Sequence, residues 1–414
     1  MPVSVFTPSH DPRWLDEACS SVLAQTHEDW EWVVLLNGGR TWSPRSDDPR
    51  IKVHSTGHVN GIGDAKRRTV ALTTGDILVE LDHDDLLLPD ALSSIMESFS
   101  RRPEQRFVYS DFAEMEPDGA RRDERFNADH GWRYSDFPMG DQVMDRCHSM
   151  VPTPRNVSLI WYAPNHVRAF TRALYDQVGG YDPALQVLDD QDLMCRMYER
   201  TAFAHIDRCL YLQRRHPMNS QSHKGVNSRI QEQTVTLEGK WLERLALAWA
   251  DREGLAAVDL SPDGPRDGYV GPNGSPQFRS GTPGSLQIDA DDSSTGIVRA
   301  VDVIQFYPDK TASLDEIYRV LAHGGLARFA QPSTDGRGAF QDPRHVSYWN
   351  ENSFWYVTDQ AYRQYVPKTR ARFQVAHLGT RFPDDSCRQH DISYVYADLI
   401  AVKDGPRQGG LLKV

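Results

Sequence analysis

Little in this chain of 414 residues points to an oxidising compartment, a membrane or a nucleic-acid partner. Cysteine is scarce. Cys19, Cys147, Cys195, Cys209 and Cys387 are scattered, odd in number and form no CxxC pair, so they read as reduced thiols rather than a disulfide framework or a zinc site. Long apolar runs are absent too. No stretch approaches the ~20 residues a membrane helix needs, and the opening MPVSVFTPSHD has neither the basic nor the apolar region of a secretion signal. Positive charge is in deficit, with 46 Lys and Arg against 58 Asp and Glu and a formal charge of -12. That balance argues against broad binding to nucleic acid or anionic lipid. The expectation is a cytoplasmic protein without integral membrane association, long enough for two or three domains.

What is present centres on the stretch GDILVELDHDDLLLPD, residues 75–90. Ile77, Leu78, Val79 and Leu81 read as a buried strand of a mostly parallel sheet. The strand runs into Asp82-His83-Asp84-Asp85, and a helix is expected from about Pro89. Carboxylates at the carboxyl end of a strand lie where open α/β sheets place their ligands. Their mutual repulsion calls for a cation, and oxygen ligands on a short loop suit Mg²⁺ or Mn²⁺. The competing reading makes these aspartates caps of the next helix. Upstream, expected strands at Val3–Phe6, Trp30–Leu36 and Ile51–His54 alternate with helices at Trp14–Gln25 and Ala65–Thr73. This order is the first half of a doubly wound α/β nucleotide-binding sheet. Gly61-Ile62-Gly63 adds a weak phosphate-loop signal.

Downstream, Phe107–Phe112 reads as a strand and Val167–Val178 as an amphipathic helix closed by Gly179-Gly180. Between them, Asp129–Trp161 reads as irregular and rich in His, Trp, Tyr and Met, rings that suit a small core or a stacked sugar. Asp189-Asp190-Gln191-Asp192 opens another helix, with capping-box spacing between Asp189 and Asp192. A strand from Ala204 to Gln213 ends in Arg214-Arg215-His216, and Glu232–Ala250 is a helix suited to link domains. Ser261–Gly284 is loop-like. Beyond it, LQIDAD and VDVIQFY look like strands, Leu314–Ala322 like a helix and Leu326–Ala330 like a strand. The expected domains are 1–231 and 251–414, joined by 232–250.

Several ordered blocks between about residues 3 and 220 resemble inverting family-two glycosyltransferases of the GT-A fold. LDHDD is similar to the family's metal-binding DxD. Asn60-Gly61 followed by Ala65-Lys66 is similar to its glycine–alanine–basic block, and GGYDPAL…LDDQDLMCR to its GGFD…EDxDL…R block. The resemblance implies a nucleotide-diphosphate sugar donor, UDP-linked by preference, met by Thr7, Pro8, His10, Asn37, Gly61, Lys66, Asp82 and His83. It implies Mn²⁺ or Mg²⁺ at Asp84 with Asp82 and His216, and Asp190 as the catalytic base. Asn37 stands where the family usually carries an aspartate that reads uracil. In the carboxyl half, DEIYRVLAHGG resembles the helix and turn of class I S-adenosylmethionine-dependent methyltransferases. The glycine-rich turn of that class is replaced by Ser261-Pro262-Asp263-Gly264, which implies a smaller Rossmann-like α/β domain without its cofactor. The expected activity is metal-dependent inverting transfer of a hexosyl or N-acetylhexosaminyl group to a hydroxyl of a glycan or other biopolymer. Alternatives are transfer to a hydroxylated DNA base, a methyltransferase with a sugar-binding front domain, and a noncatalytic nucleotide-sugar module.

Overall fold

The computed structural model describes residues 1–219, 224–271 and 284–414. They divide into two compact units, Met1–Leu242 with Gln408–Gly410, and Glu243–Arg407 with Leu411–Val414. The division after Leu242 lies within 232–250, and Gln408–Gly410 group with the first unit.

The first unit is built on one sheet. Its strands are β1 (Val3–Ser9), β2 (Trp30–Leu36), β3 (Ile51–Ser55), β4 (Ile77–Glu80), β5 (Leu86–Leu87), β6 (Phe107–Met115), β7 (Arg133–Met139), β8 (Gln142–His148), β9 (Arg168–Thr171) and β10 (Ala204–Arg214). They lie in the order β3-β2-β1-β4-β9-β6-β10-β5, with the β7–β8 hairpin joined through β8 to β6. The first four are parallel, whereas β9 lies antiparallel between β4 and β6. The sheet is thus mixed, and its central strand β4 has one antiparallel neighbour. Every residue of β1, β2 and β4 is buried, which explains their largely apolar character. Helix α1 (Leu15–Leu23) buries Leu15, Ala18, Cys19 and Val22 in the same core.

Local expectations fail where tertiary context decides. After α2 (Ile62–Val70), helix α3 spans Ala91–Arg101 with no side-chain cap at Asp90, so Asp82, Asp84 and Asp85 lie too far upstream to cap it. Asp129–Trp161 holds the hairpin and α4 (Pro154–Ser158); in β7 the partly buried Tyr134, Phe137 and Met139 are mixed with Arg133, Ser135 and Asp136, which leaves no clean alternation to read. Val167–Val178 is not one helix. Its apolar start fills the gap between β4 and β6 as β9, and Thr171 then caps α5 (Arg172–Gln177) by accepting the N–H of Leu174 at 3.2 Å. Helix α6 (Asp189–Tyr198) follows Leu188 at φ 60° and has no side-chain cap, which removes the capping-box reading of Asp189 and Asp192. Asp192 instead pairs with Arg196 at 2.7 Å. Helix α7 (Lys224–Arg252) is longer than expected at both ends.

The second unit is also mixed α/β. Its strands are β11 (Ala256–Asp259), β12 (Thr295–Val301), β13 (Leu321–Pro332), β14 (Phe373–Arg381) and β15 (Tyr394–Ala401), in the order β11-β12-β13-β15-β14. The first three are parallel and the last two antiparallel. Neither LQIDAD nor VDVIQFY is a strand. The strand is Thr295–Val301, and Asp302 at φ 56° ends it. DEIYRVLAHGG folds as the end of α8 (Lys310–Val320) and the start of β13. The turn after β11 is filled from within. Arg299 Nη1 donates to both Asp259 carboxylate oxygens at 3.1 and 2.9 Å and to Ser261 Oγ at 2.7 Å. Among the described residues all five cysteines are free, and no helix is long and apolar enough to cross a membrane.

Candidate active site

A cavity of about 970 Å³ opens beyond the carboxyl ends of β1, β2 and β4, lined there by Pro8, Asn37 and Asp82–Asp85. Gln213 of strand β10, with Arg215 and His216 just beyond its end, supplies another part of the wall. Chain folding thus brings together groups more than a hundred residues apart.

The acidic loop is held by the end of β10. Fully buried Arg214 donates from Nε to the Asp84 carbonyl at 2.9 Å, and its backbone N–H donates to Asp85 Oδ1 at 2.7 Å. The Tyr211 hydroxyl donates to Asp85 Oδ2 at 2.8 Å and accepts the Asp82 N–H at 3.1 Å. His216 Nε2 lies 2.8 Å from Asp84 Oδ2, and Asn219 donates to the same oxygen at 3.1 Å. Burial would raise the Asp84 pKa, but the His216 hydrogen bond and the nearby His83 hold it below the usual range. Asp85 goes the other way: burial and the charges of Asp84 and Asp82 push it well above the usual carboxylate range.

A second set of charges forms the floor under α6. Lys66 Nζ lies 2.5 Å from Glu80 Oε1 and 3.0 Å from Asp189 Oδ2. Arg168 reaches Glu80 Oε2 at 2.9 Å, Asp190 Oδ2 at 3.1 Å and His166 Nε2 at 2.6 Å. Despite burial, Arg168 and Lys66 hold Asp190 below the usual range, so it is ionised at neutral pH. Burial together with the Asp190 and Glu80 charges outweighs Lys66 at Asp189, whose pKa rises to about 6. The two neighbours also differ in access. The Asp190 side chain keeps 25% of its surface exposed, the Asp189 side chain only 5%.

Of the residues singled out from the sequence, Pro8, His10, Asn37, Gly61, Lys66, Asp82, His83, Asp84, Asp190 and His216 line this one cavity. Thr7 does not. Its buried hydroxyl donates to the Leu81 carbonyl at 2.8 Å and accepts from Trp32 Nε1 at 2.9 Å, tying β1 to the strands beside it. The Lys66 ammonium is paired with Glu80 and Asp189 in the cavity wall. Asp84 and His216 are brought together, while the Asp82 carboxylate points to His166 Nε2 at 3.9 Å. The glycines at 61 and 63 serve close packing. A Cβ on Gly63 would stand 2.1 Å from the Asp182 carbonyl oxygen, and one on Gly61 2.8 Å from that of Leu185. Sequence reading missed Glu80, His166, Arg168, Tyr211 and Asn219. The one available signal was charge inside apolar strands, Glu80 ending β4 and Arg168 opening β9.

Residues 4–158 match the model of the family described as Glycosyl transferase family 2. The uncharacterized protein y4gI of Sinorhizobium fredii is 27% identical over 228 residues, covering 52% of this chain and 22% of that protein. The O-antigen biosynthesis protein RfbC of Myxococcus xanthus is 26% identical over 219 residues, covering 50% of this chain and 15% of that protein. Among solved structures, residues 1–349 of S. aureus TarS in complex with UDP align at 14% identity and a TM-score of 0.41, covering 61% of this chain and 70% of that one. The chain spans about a fifth of the length of such curated relatives. Residues 4–158 of the amino-terminal unit are thus similar to glycosyltransferase family-two domains.

Proposed function

We propose that this glycosyltransferase moves a sugar from a UDP-linked donor to an acceptor hydroxyl with inversion, using Asp190 as its base. The supporting observation is that one cavity is lined both by the Asp84–His216 pair and by an ionised, partly exposed Asp190. In the reaction the acceptor oxygen forms a bond to the anomeric carbon as the bond from that carbon to the diphosphate oxygen breaks. The hydroxyl proton passes to Asp190, and the departing oxygen keeps the bond's electron pair.

The residues suit a hard divalent cation. Asp82, Asp84 and Asp85 crowd one loop, and burial with the charges of its two neighbours pushes Asp85 well above the usual carboxylate range. Mg²⁺ or Mn²⁺ would be held by Asp84 with His216 and Asp82, and it would neutralise charge on the diphosphate. Asn37, buried at the end of β2, offers both an acceptor and a donor to a base edge. Arg168 keeps Asp190 ionised and aimed, and Arg214 fixes the acidic loop through the Asp84 carbonyl.

The second unit fits a Rossmann-like domain without cofactor, because Arg299 and Ser261 occupy the turn where a cofactor would approach. Incubation with UDP-, GDP- and dTDP-sugars and Mn²⁺, without acceptor, tests the whole reading. Slow release of nucleotide diphosphate from one donor is expected. No release from any donor would overturn it.

A further inference from the structure

We infer that the acceptor is a saccharide, seated against an aromatic wall in which Trp161 is the specificity-determining residue. The inference rests on the glycosyl-transfer reading above and names the acceptor class at that same site. Phe126, Trp132, Trp161 and Tyr162 all line the cavity that Asp190 lines. Phe126 and Trp161 each keep 37% of their surface exposed, so their faces are presented to the cavity rather than spent in the core.

The wall is built, not incidental. Phe126 and Trp132 pack with ring centroids 4.8 Å apart, and His130 Nδ1 lies 2.9 Å from the Tyr162 hydroxyl, tying the turn at Ala128–His130 to the segment carrying Trp161. That segment is fastened to α6 just before Trp161. Gln191, next to Asp190, donates to the Ser158 carbonyl, and Cys195 Sγ lies 3.5 Å from the Val157 carbonyl. The base and the aromatic wall are therefore carried by one braced assembly.

The chemistry of the wall selects among acceptors. A sugar ring shows C–H groups on its faces and hydroxyls around its rim. An aromatic face with its negative quadrupole takes the former, and Asn127, Asn165 and the Tyr162 hydroxyl, in the same cavity wall, can take the latter. A lipid tail carries no rim hydroxyls for these groups to meet. A nucleic acid would meet a chain of net charge -12, which opposes broad phosphate binding.

The test supplies the enzyme, with whichever nucleotide sugar it hydrolyses, with three sets of acceptors. These are short neutral oligosaccharides of hexose and N-acetylhexosamine, a long-chain polyprenyl phosphate, and a single-stranded oligonucleotide containing hydroxymethylated pyrimidine. Mass spectrometry reads the product. Transfer to the oligosaccharides is expected, with Trp161→Ala raising acceptor KM ~10-fold or more and Trp161→Phe restoring most of the loss, the scale of one aromatic anchor. Melting temperature of both variants checks folding. Transfer only to the lipid or the oligonucleotide, or an unchanged oligosaccharide KM in folded Trp161→Ala, overturns this inference while leaving glycosyl transfer intact. Absence of any donor hydrolysis overturns both.

Discussion

Replacing Lys66 with methionine keeps the side chain's length and apolar stem but removes the cation between Glu80 and Asp189. Glu80 retains Arg168 at 2.9 Å and stays ionised, so the consequence falls on Asp189. A carboxyl whose folded pKa lies above its unfolded value binds more protons when folded, so its penalty is absent at low pH and grows as pH rises. For Asp189, with a folded pKa of about 6 against ~3.9 unfolded, the penalty grows between those values and levels off at ~3 kcal/mol. Without Lys66 the folded pKa moves higher and the penalty keeps growing beyond pH 6. The added loss is therefore near zero at pH 5 and grows to ~1–3 kcal/mol by pH 8, on top of a pH-independent part from the lost Glu80 contact. Urea denaturation of wild type and Lys66→Met at the two pH values measures it. A stability difference that does not change with pH would refute the coupling between Lys66 and Asp189.

Three further outcomes are expected. UDP should bind more tightly with Mn²⁺ or Mg²⁺, and Asp84→Ala should abolish that enhancement; calorimetry with and without EDTA checks it, and equal affinities in wild type would remove the metal from the account. S-adenosylmethionine should not raise the melting temperature, whereas a ligand at 100 times its dissociation constant would add ~2.7 kcal/mol, so a clear shift would reopen the turn at Asp259–Ser261. Gly63→Ala should destabilise by ~1–3 kcal/mol, because its new methyl group meets the Asp182 carbonyl backbone and not a movable side chain. Denaturant melts of that variant within 0.5 kcal/mol of wild type (about the scatter of neutral surface changes) would count against this packing.

The parts of the molecule legible in the sequence are those whose signal is local. Val3–Ser9, Trp30–Leu36 and Ile77–Glu80 are buried on both faces, and such strands announce themselves as apolar runs. The acidic loop stood out because three aspartates after a buried strand are costly without a purpose. What stayed hidden is long-range. Glu80, Lys66, Arg168 and Asp190 come from four separate elements, and no spacing along the chain says that they share one buried site. Strand β9 was obscured because Arg168–Thr171 runs straight into a helix that Thr171 caps, leaving no turn to mark the change. In the second unit, VDVIQFY is more apolar than TGIVRAV, but the left-handed Asp302 breaks it after its first residue.

The central claim is that Asp190 takes the acceptor proton. Asp190→Asn keeps shape and volume but cannot accept that proton, so single-turnover transfer, donor affinity and melting temperature should be measured together on this variant. Donor should bind as to wild type and the fold should persist, while transfer falls by ~10²–10⁴-fold, the usual worth of a general base. A folded Asp190→Asn protein that transfers sugar at a near-normal rate would contradict the account and move the base to a neighbour, Asp189 first.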